Sequence, residues 1–134
     1  MICIKNNLNR YGGKINFKMK KLKYCIQEHK ASNLHYDLRL EYKGKAKSWA
    51  IPKEPSLNQK RLAIPVEDHE VSYMDFEGEI KEGYGKGSVK IWDKGSWEPL
   101  EVEENKIIAM IHGEELKGKF VLIKFKENWL FFKS

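Results

Sequence analysis

Apolar and polar positions alternate with a period of two along much of this chain, and helical periodicity is scarce. Ile15, Phe17 and Met19 alternate with lysines and asparagine, which predicts a strand with a basic outer face. Tyr24 to Gln27 reads as a short apolar strand, and residues 34–41 (Leu-His-Tyr-Asp-Leu-Arg-Leu-Glu) alternate without interruption. Lys47 to Ile51 is strand-like and is stopped by Pro52. Further strands are expected over Ser88–Trp92, Lys106–Ile111, Phe120–Phe125 and Trp129–Lys133, each set off by glycines such as Gly44, Gly78, Gly95 and Gly118. Only Glu67 to Met74 suggests a helical turn. Many short strands joined by glycine-rich turns predict a mainly β fold: a small closed barrel of antiparallel strands with one or two short helical turns.

Length adds that one domain suffices, since 134 residues can bury roughly two-thirds of their unfolded surface. No run approaches the ~20 apolar residues of a membrane span. The opening residues lack the apolar run of a signal peptide, so a cytoplasmic location is expected. Cys3 and Cys25 have no partners at metal-ligand spacing and read as reduced thiols. The net charge of +6 is unevenly placed. Residues 1–24 hold seven basic side chains and no acid, while the remainder is nearly balanced. The expected organisation is therefore a basic arm or edge strand over 1–23 and a barrel over 24–134. Such an arm can neutralise phosphates on a nucleic acid, or merely solubilise the chain.

Candidate chemistry concentrates on the strand 34–41. Leu34, Tyr36, Leu38 and Leu40 fall on one face, and His35, Asp37, Arg39 and Glu41 on the other. With His29 upstream, His35 and Asp37 make a set of two imidazoles and one carboxylate. That set suits Mn²⁺, Zn²⁺ or Fe²⁺ with positions left open for substrate or water. Arg39, one step further along the face, offers a planar fork to a phosphate. An ordinary polar strand face is the alternative at this stage. His69, flanked by Glu67 and Asp68, could bind a phosphate or protonate a leaving oxygen. His112, beside Gly113, reads as a turn residue outside any site. The Gly83–Gly87 run reads as a tight hairpin rather than a phosphate loop. The spacings required for a cysteine phosphatase, an aspartyl-phosphate enzyme or a nucleotide-binding P-loop are absent from the sequence.

The ordered motifs His29-x5-His35-Tyr36-Asp37-Leu38-Arg39-Leu40-Glu41, Ser48-Trp49-Ala50-Ile51-Pro52-Lys53, Arg61-Leu62-Ala63 and Val66-Glu67-Asp68-His69 resemble the phosphoesterase domain of bacterial DNA ligase D. The likeness continues through Tyr73, Phe76-Glu77-Gly78, Tyr84-Gly85-x-Gly87, Ile91-Trp92-Asp93-x-Gly95 and Trp129-Leu130, covering roughly residues 24–133. Standing without polymerase or ligase segments, the chain resembles a free-standing member of that family. The resemblance implies a manganese-dependent enzyme acting on the 3′ ends of primer–template DNA before non-homologous end joining, alongside a separate ligase and end-joining proteins. It would remove a terminal ribonucleoside to leave a 3′-phosphate, then remove that phosphate. By position, His29, His35 and Asp37 correspond to the metal ligands, with Mn²⁺ expected and Zn²⁺ or Co²⁺ able to fit. Arg39 and His69 match residues that engage the phosphate, and Tyr73 falls on a position important for activity. Ser48, Lys53 and Arg61 match substrate-binding positions, and Gln27, Glu67 and Asp68 supporting ones. Three departures stand out. Residues 1–24 lack the acids of the family's opening segment, which weighs against ribonucleoside removal more than against phosphate removal. Glu54 replaces a usual glycine, and residues 80–84 lack a usual proline and are one residue short. The rival functions are a non-catalytic nucleic-acid-binding barrel and a hydrolase of small phosphorylated nucleotides.

Overall fold

The computed structural model describes residues 21–83 and 85–134. The expected strand over Ile15–Met19 and residues 1–20 of the basic arm lie outside the described residues, as does Tyr84, while Leu22 and Lys23 of that arm open the first strand. Strands β1 (Leu22–Lys30), β2 (Leu34–Tyr42) and β3 (Lys45–Ile51) form an antiparallel meander. The β2–β3 turn is the two residues Lys43 and Gly44, both at positive φ (52° and 82°), as a tight hairpin between twisted strands requires. Strand β4 (Arg61–His69) leads into a 3₁₀ turn over Val71–Asp75 and the short β5 (Gly78–Ile80). Then come β6 (Gly87–Glu103), β7 (Lys106–Gly113), β8 (Lys117–Phe125) and β9 (Asn128–Lys133).

Neighbouring strands run β1-β2-β3-β4-β9-β8-β7-β6, and β6 pairs back onto β1, which closes an eight-stranded antiparallel barrel. β5 adds a short ninth strand against the start of β6. The barrel is filled by Tyr24, Ile26, Leu38, Leu40, Trp49, Ile51, Trp97, Ile111, Phe120, Leu122 and Phe131. Trp92 and Trp129 pack against this core at partial burial. No helix among the described residues is long and apolar enough to cross a membrane.

Three details differ from the alternation pattern. Leu34 is exposed (46%), because it opens β2 beyond the core that Tyr36, Leu38 and Leu40 help fill. Glu67–His69, expected at the start of a helical turn, completes β4, and only Val71–Asp75 turns. Gly95, expected to end a strand, lies inside the 17-residue β6. A Cβ there would sit 1.9 Å from the His112 carbonyl oxygen, so this glycine permits close strand approach rather than a turn.

A β-bulge in β6 carries the register from Ile26↔Asp93 to Gln27↔Ile91 across Trp92. Asp93 is thereby aimed inward and buried at 2% exposure. Its two oxygens accept four hydrogen bonds: Oδ1 from the Glu114 and Glu115 amides at 2.7 and 2.9 Å, Oδ2 from Tyr24 Oη–H and the Leu116 amide at 2.7 and 2.9 Å. This carboxylate pins the β7–β8 turn to β1. Burial, then the Asp93 charge, pushes the Tyr24 hydroxyl pKa well up.

Candidate metal and phosphate site

Side chains that do not face the core line the outer face of β1–β2–β3. Cys25 is paired with Arg39, Gln27 with Asp37, His29 with His35 and Ser48 with Arg39. This second face is not left to solvent. Asp37, Arg39, Glu41, Gln27, His29 and Ser48 are all buried, and Met74 of the 3₁₀ turn packs beside Cys25 and Ala46. β2 is therefore buried on both faces, one apolar and one polar, and buried polar groups on such a face must be satisfied internally.

His29, His35 and Asp37 offer donor atoms within 4.8 Å of one another, the geometry of a mononuclear site. His29 Nδ1 lies 3.5 Å from Asp37 Oδ2, and His35 Nε2 lies 3.4 Å from Asp37 Oδ1. The opposite nitrogen of each ring is held by the backbone. His29 Nε2 is 2.7 Å from the Gly85 carbonyl, and His35 Nδ1 is 3.1 Å from the Asn33 carbonyl. A carbonyl only accepts, so in the neutral rings these nitrogens carry the protons and the lone pairs face Asp37. Two oriented lone pairs and a carboxylate fit a divalent ion. The hydrogen bond to Asp37 raises the His35 pKa in the ion-free protein. Because that pKa lies above the unfolded value, its stabilisation is present at low pH and lost as pH rises through the folded pKa.

Arg39 extends the site. Its Nε donates to Gln27 Oε1 at 2.5 Å, one terminal nitrogen to Ser48 Oγ at 2.7 Å and the other to Asp37 Oδ2 at 3.5 Å. The guanidinium plane is thus fixed beside the metal set. Gln27, with no exposed surface, ties this arrangement to the covering turn, its amide nitrogen donating to the Tyr73 and Phe76 carbonyls at 2.9 and 3.1 Å.

His69 reaches this face through a β-bulge. Ser48 pairs with Val66 and Ala46 with His69, so between these pairs the single residue Lys47 of β3 opposes two residues of β4. Glu67 and Asp68 supply the extra residue, and His69 lands on the side of Ser48 and Arg39. Its ring stacks on Tyr73 at 4.5 Å, and the Arg39 guanidinium carbon lies 5.0 Å from the Tyr73 ring centre. Partial desolvation, then the Arg39 charge, lowers the His69 pKa. Desolvation raises that of Tyr73.

The structure brings His29, His35, Asp37, Arg39, Ser48, Gln27, His69 and Tyr73 into one connected cluster. Glu67 and Asp68 are exposed at the bulge, and Lys53 is exposed just after β3. Arg61 donates to the Glu54 carbonyl and to Gln59 Oε1, at 2.7 and 2.9 Å, within the loop that precedes β4. His112 pairs with Glu98 on an exposed part of β6–β7, apart from this cluster. Two contributors are invisible to side-chain reasoning: the carbonyls of Asn33 and Gly85. In the sequence only the glycine-rich run around Gly85 marked this backbone, and the structure gives Gly85 a left-handed φ of 86°.

Comparison with known proteins agrees with this geometry. Residues 27–124 match the DNA ligase D 3′-phosphoesterase domain family. The chain is 50% identical over 111 residues to the multifunctional non-homologous end joining protein LigD of Pseudomonas aeruginosa, covering 77% of this chain and 13% of that protein. The corresponding protein of Mycolicibacterium smegmatis is 43% identical over 123 residues, with coverage of 81% and 16%. That of Mycobacterium tuberculosis is 39% identical over 115 residues, with coverage of 80% and 15%. The chain thus spans 13–16% of the length of these relatives. With the candidate metal set, the arginine fork and the covering turn all lying inside the matched segment, this chain belongs to the DNA ligase D 3′-phosphoesterase domain family.

Proposed function

We propose that this protein is a manganese-dependent phosphoesterase that heals DNA 3′ ends in end-joining repair. It hydrolyses a 3′-phosphate to a 3′-hydroxyl, and it removes a 3′-terminal ribonucleoside to leave a 3′-phosphate. The observation that carries the reading is the paired locking of His29 and His35 by backbone carbonyls, which turns both lone pairs towards Asp37 beside a fixed guanidinium. His29, His35 and Asp37 would hold the ion, which when bound supplies positive charge to a phosphoryl oxygen. Zn²⁺ or Co²⁺ fits the same donors.

Arg39 binds the phosphate and offsets the charge that builds on it as the ester bond breaks. It needs little reorganisation, because Gln27 and Ser48 already hold the guanidinium. His69, neutral at neutral pH in the free protein, offers one N–H donor to a phosphate oxygen, and a bound phosphate dianion would favour its protonation and donation to the leaving oxygen. In the phosphatase step water forms a new P–O bond, the P–O3′ bond breaks, and the 3′ oxygen takes up a proton. In ribonucleoside removal the bond to the terminal nucleoside's 5′ oxygen breaks instead. Tyr73 flanks the phosphate, Lys53 and Arg61 contact the substrate backbone, and Glu67 and Asp68 support His69. The basic residues 1–23 grip duplex DNA in a salt-sensitive manner, next to the catalytic unit 24–134. The healed 3′-hydroxyl is then the end that a DNA ligase can seal.

The test uses a labelled primer–template ending in a 3′-phosphate or in one 3′ ribonucleotide, with metal-stripped protein, added Mn²⁺ and the His35→Ala variant. The expected result is Mn²⁺-dependent conversion to a 3′-hydroxyl that His35→Ala abolishes. Conversion by the phosphate end alone would assign only the phosphatase step. Tight, salt-sensitive DNA binding without any conversion would instead identify a non-catalytic binding module.

A further inference from the structure

The side chain of His69 makes no hydrogen bond among the described residues. What holds it is a ring: His69 stacks on Tyr73, and Tyr73 stacks on Phe76 with centroids 5.2 Å apart and an interplanar angle of 16°. The same Tyr73 ring supports the Arg39 guanidinium. Phe76 is backed in turn by the chain itself, since a Cβ on Gly78 would lie 3.2 Å from its Cζ and 3.5 Å from its Cε1. Its backbone carbonyl is clamped by Gln27. Phe76 is therefore a flat wedge between a glycine and the ring that carries both His69 and Arg39. Stacked rings also prefer defined offsets, so the wedge fixes orientation as well as distance.

We propose that Phe76 is a positioning residue for the 3′-end chemistry, setting Tyr73 and through it His69 and Arg39. This inference rests on the phosphoesterase reading above. It assigns Phe76 a role that neither metal binding nor core filling requires. Phe76 touches none of the metal-ligating side chains in the described contacts, and it lies outside the barrel core.

The experiment compares Phe76→Leu, which keeps apolar bulk but loses the flat ring, with Phe76→Tyr, which keeps the ring. Single-turnover hydrolysis of a 3′-phosphate end and Mn²⁺ affinity are measured for each, together with the NMR signals of the His69 ring and the Arg39 Nε–H. Misplacing a catalytic group by ~1 Å can cost about a hundredfold, so a partial loss of about tenfold in rate is expected for Phe76→Leu. KM and Mn²⁺ affinity should stay within about twofold, the His69 and Arg39 resonances should move, and Phe76→Tyr should restore both rate and resonances. A Leu variant within about twofold of wild-type rate, or equal losses in the Leu and Tyr variants, would overturn the proposal. So would unmoved His69 and Arg39 resonances, a readout that holds even for a protein without activity. A wild-type protein that converts no 3′-phosphate would instead remove the underlying functional reading.

Discussion

Replacing Gln27 by leucine separates the covering turn from the site beneath it. Gln27 is fully buried, and its amide makes three hydrogen bonds. One is charge-assisted, from Arg39 Nε, and two are neutral bonds to the Tyr73 and Phe76 carbonyls. A charge-assisted bond contributes roughly 1.5–3 kcal/mol and a neutral one about 1 kcal/mol, and leucine recovers part of the loss by burying apolar surface in its place. The net cost is about 3 kcal/mol, since the Arg39 Nε–H and the Phe76 carbonyl lose their Gln27 partner, while the Tyr73 carbonyl keeps the Phe76 amide. For a chain of this length that corresponds to a fall in melting temperature on the order of 10 °C. Urea unfolding followed by tryptophan fluorescence measures the stability term. Because the proposed ligands His29, His35 and Asp37 are unaltered, Mn²⁺ affinity measured by calorimetry should change less than about threefold. Hydrolysis of the 3′-phosphate should fall by at least about tenfold, since Arg39 loses one of its anchors. A Gln27→Leu variant with unchanged stability, or one whose rate falls only in step with lost Mn²⁺ binding, would refute this account.

Further outcomes follow from other contacts. Asp93→Asn places an amide NH₂ against backbone donors in either orientation, so a loss of about 3–5 kcal/mol in urea unfolding is expected, with Tyr24→Phe costing less because the carboxylate keeps three donors. Gly85→Ala strains a residue at φ 86° whose carbonyl orients His29, whereas Gly83→Ala strains an identical φ without that contact. Calorimetry should show Mn²⁺ affinity falling about tenfold or more in the first and little in the second. Burial pushes the Cys25 thiol up to about 12, so it stays protonated in the folded protein and should react with a thiol reagent at pH 8 only after unfolding. Since its folded pKa exceeds the unfolded value, the associated stabilisation is full below pH 9 and lost as pH climbs through about 12, which alkaline unfolding curves can follow.

Much of the site was legible because β2 alternates strictly. His35, Asp37 and Arg39 had to share a face, and the pairing His29↔His35 supplies the fourth member. What sequence could not show is that this face is covered. Polarity suggested exposure, but the 3₁₀ turn brings Met74 and the Tyr73 and Phe76 carbonyls onto it. His69 was recognised as chemistry yet placed in a turn, because exposed Leu62, Ile64 and Val66 followed by acids give no clean inward set. Gly95 misled for the opposite reason: a glycine that lets two backbones meet looks in sequence like one that turns the chain. Long-range partners such as Asp93 with the 114–116 amides leave no periodic trace at all.

The bulge at Glu67–Asp68 bears on which changes of length the chain can survive. Loops between strands lengthen at little thermodynamic cost, so insertions over 52–60 should be tolerated. Between Val66 and His69 the count matters in a different way, because it behaves like a reading frame with two settings. Removing either acid leaves two steps between Val66 and the histidine, so plain alternation alone keeps the imidazole opposite Ala46 on the Arg39 side, whereas straightening the bulge at full length would turn it to the other face. Among homologous chains, substitutions at these two positions and loss of one of them together with the bulge should therefore both occur, because either keeps the histidine opposite Ala46.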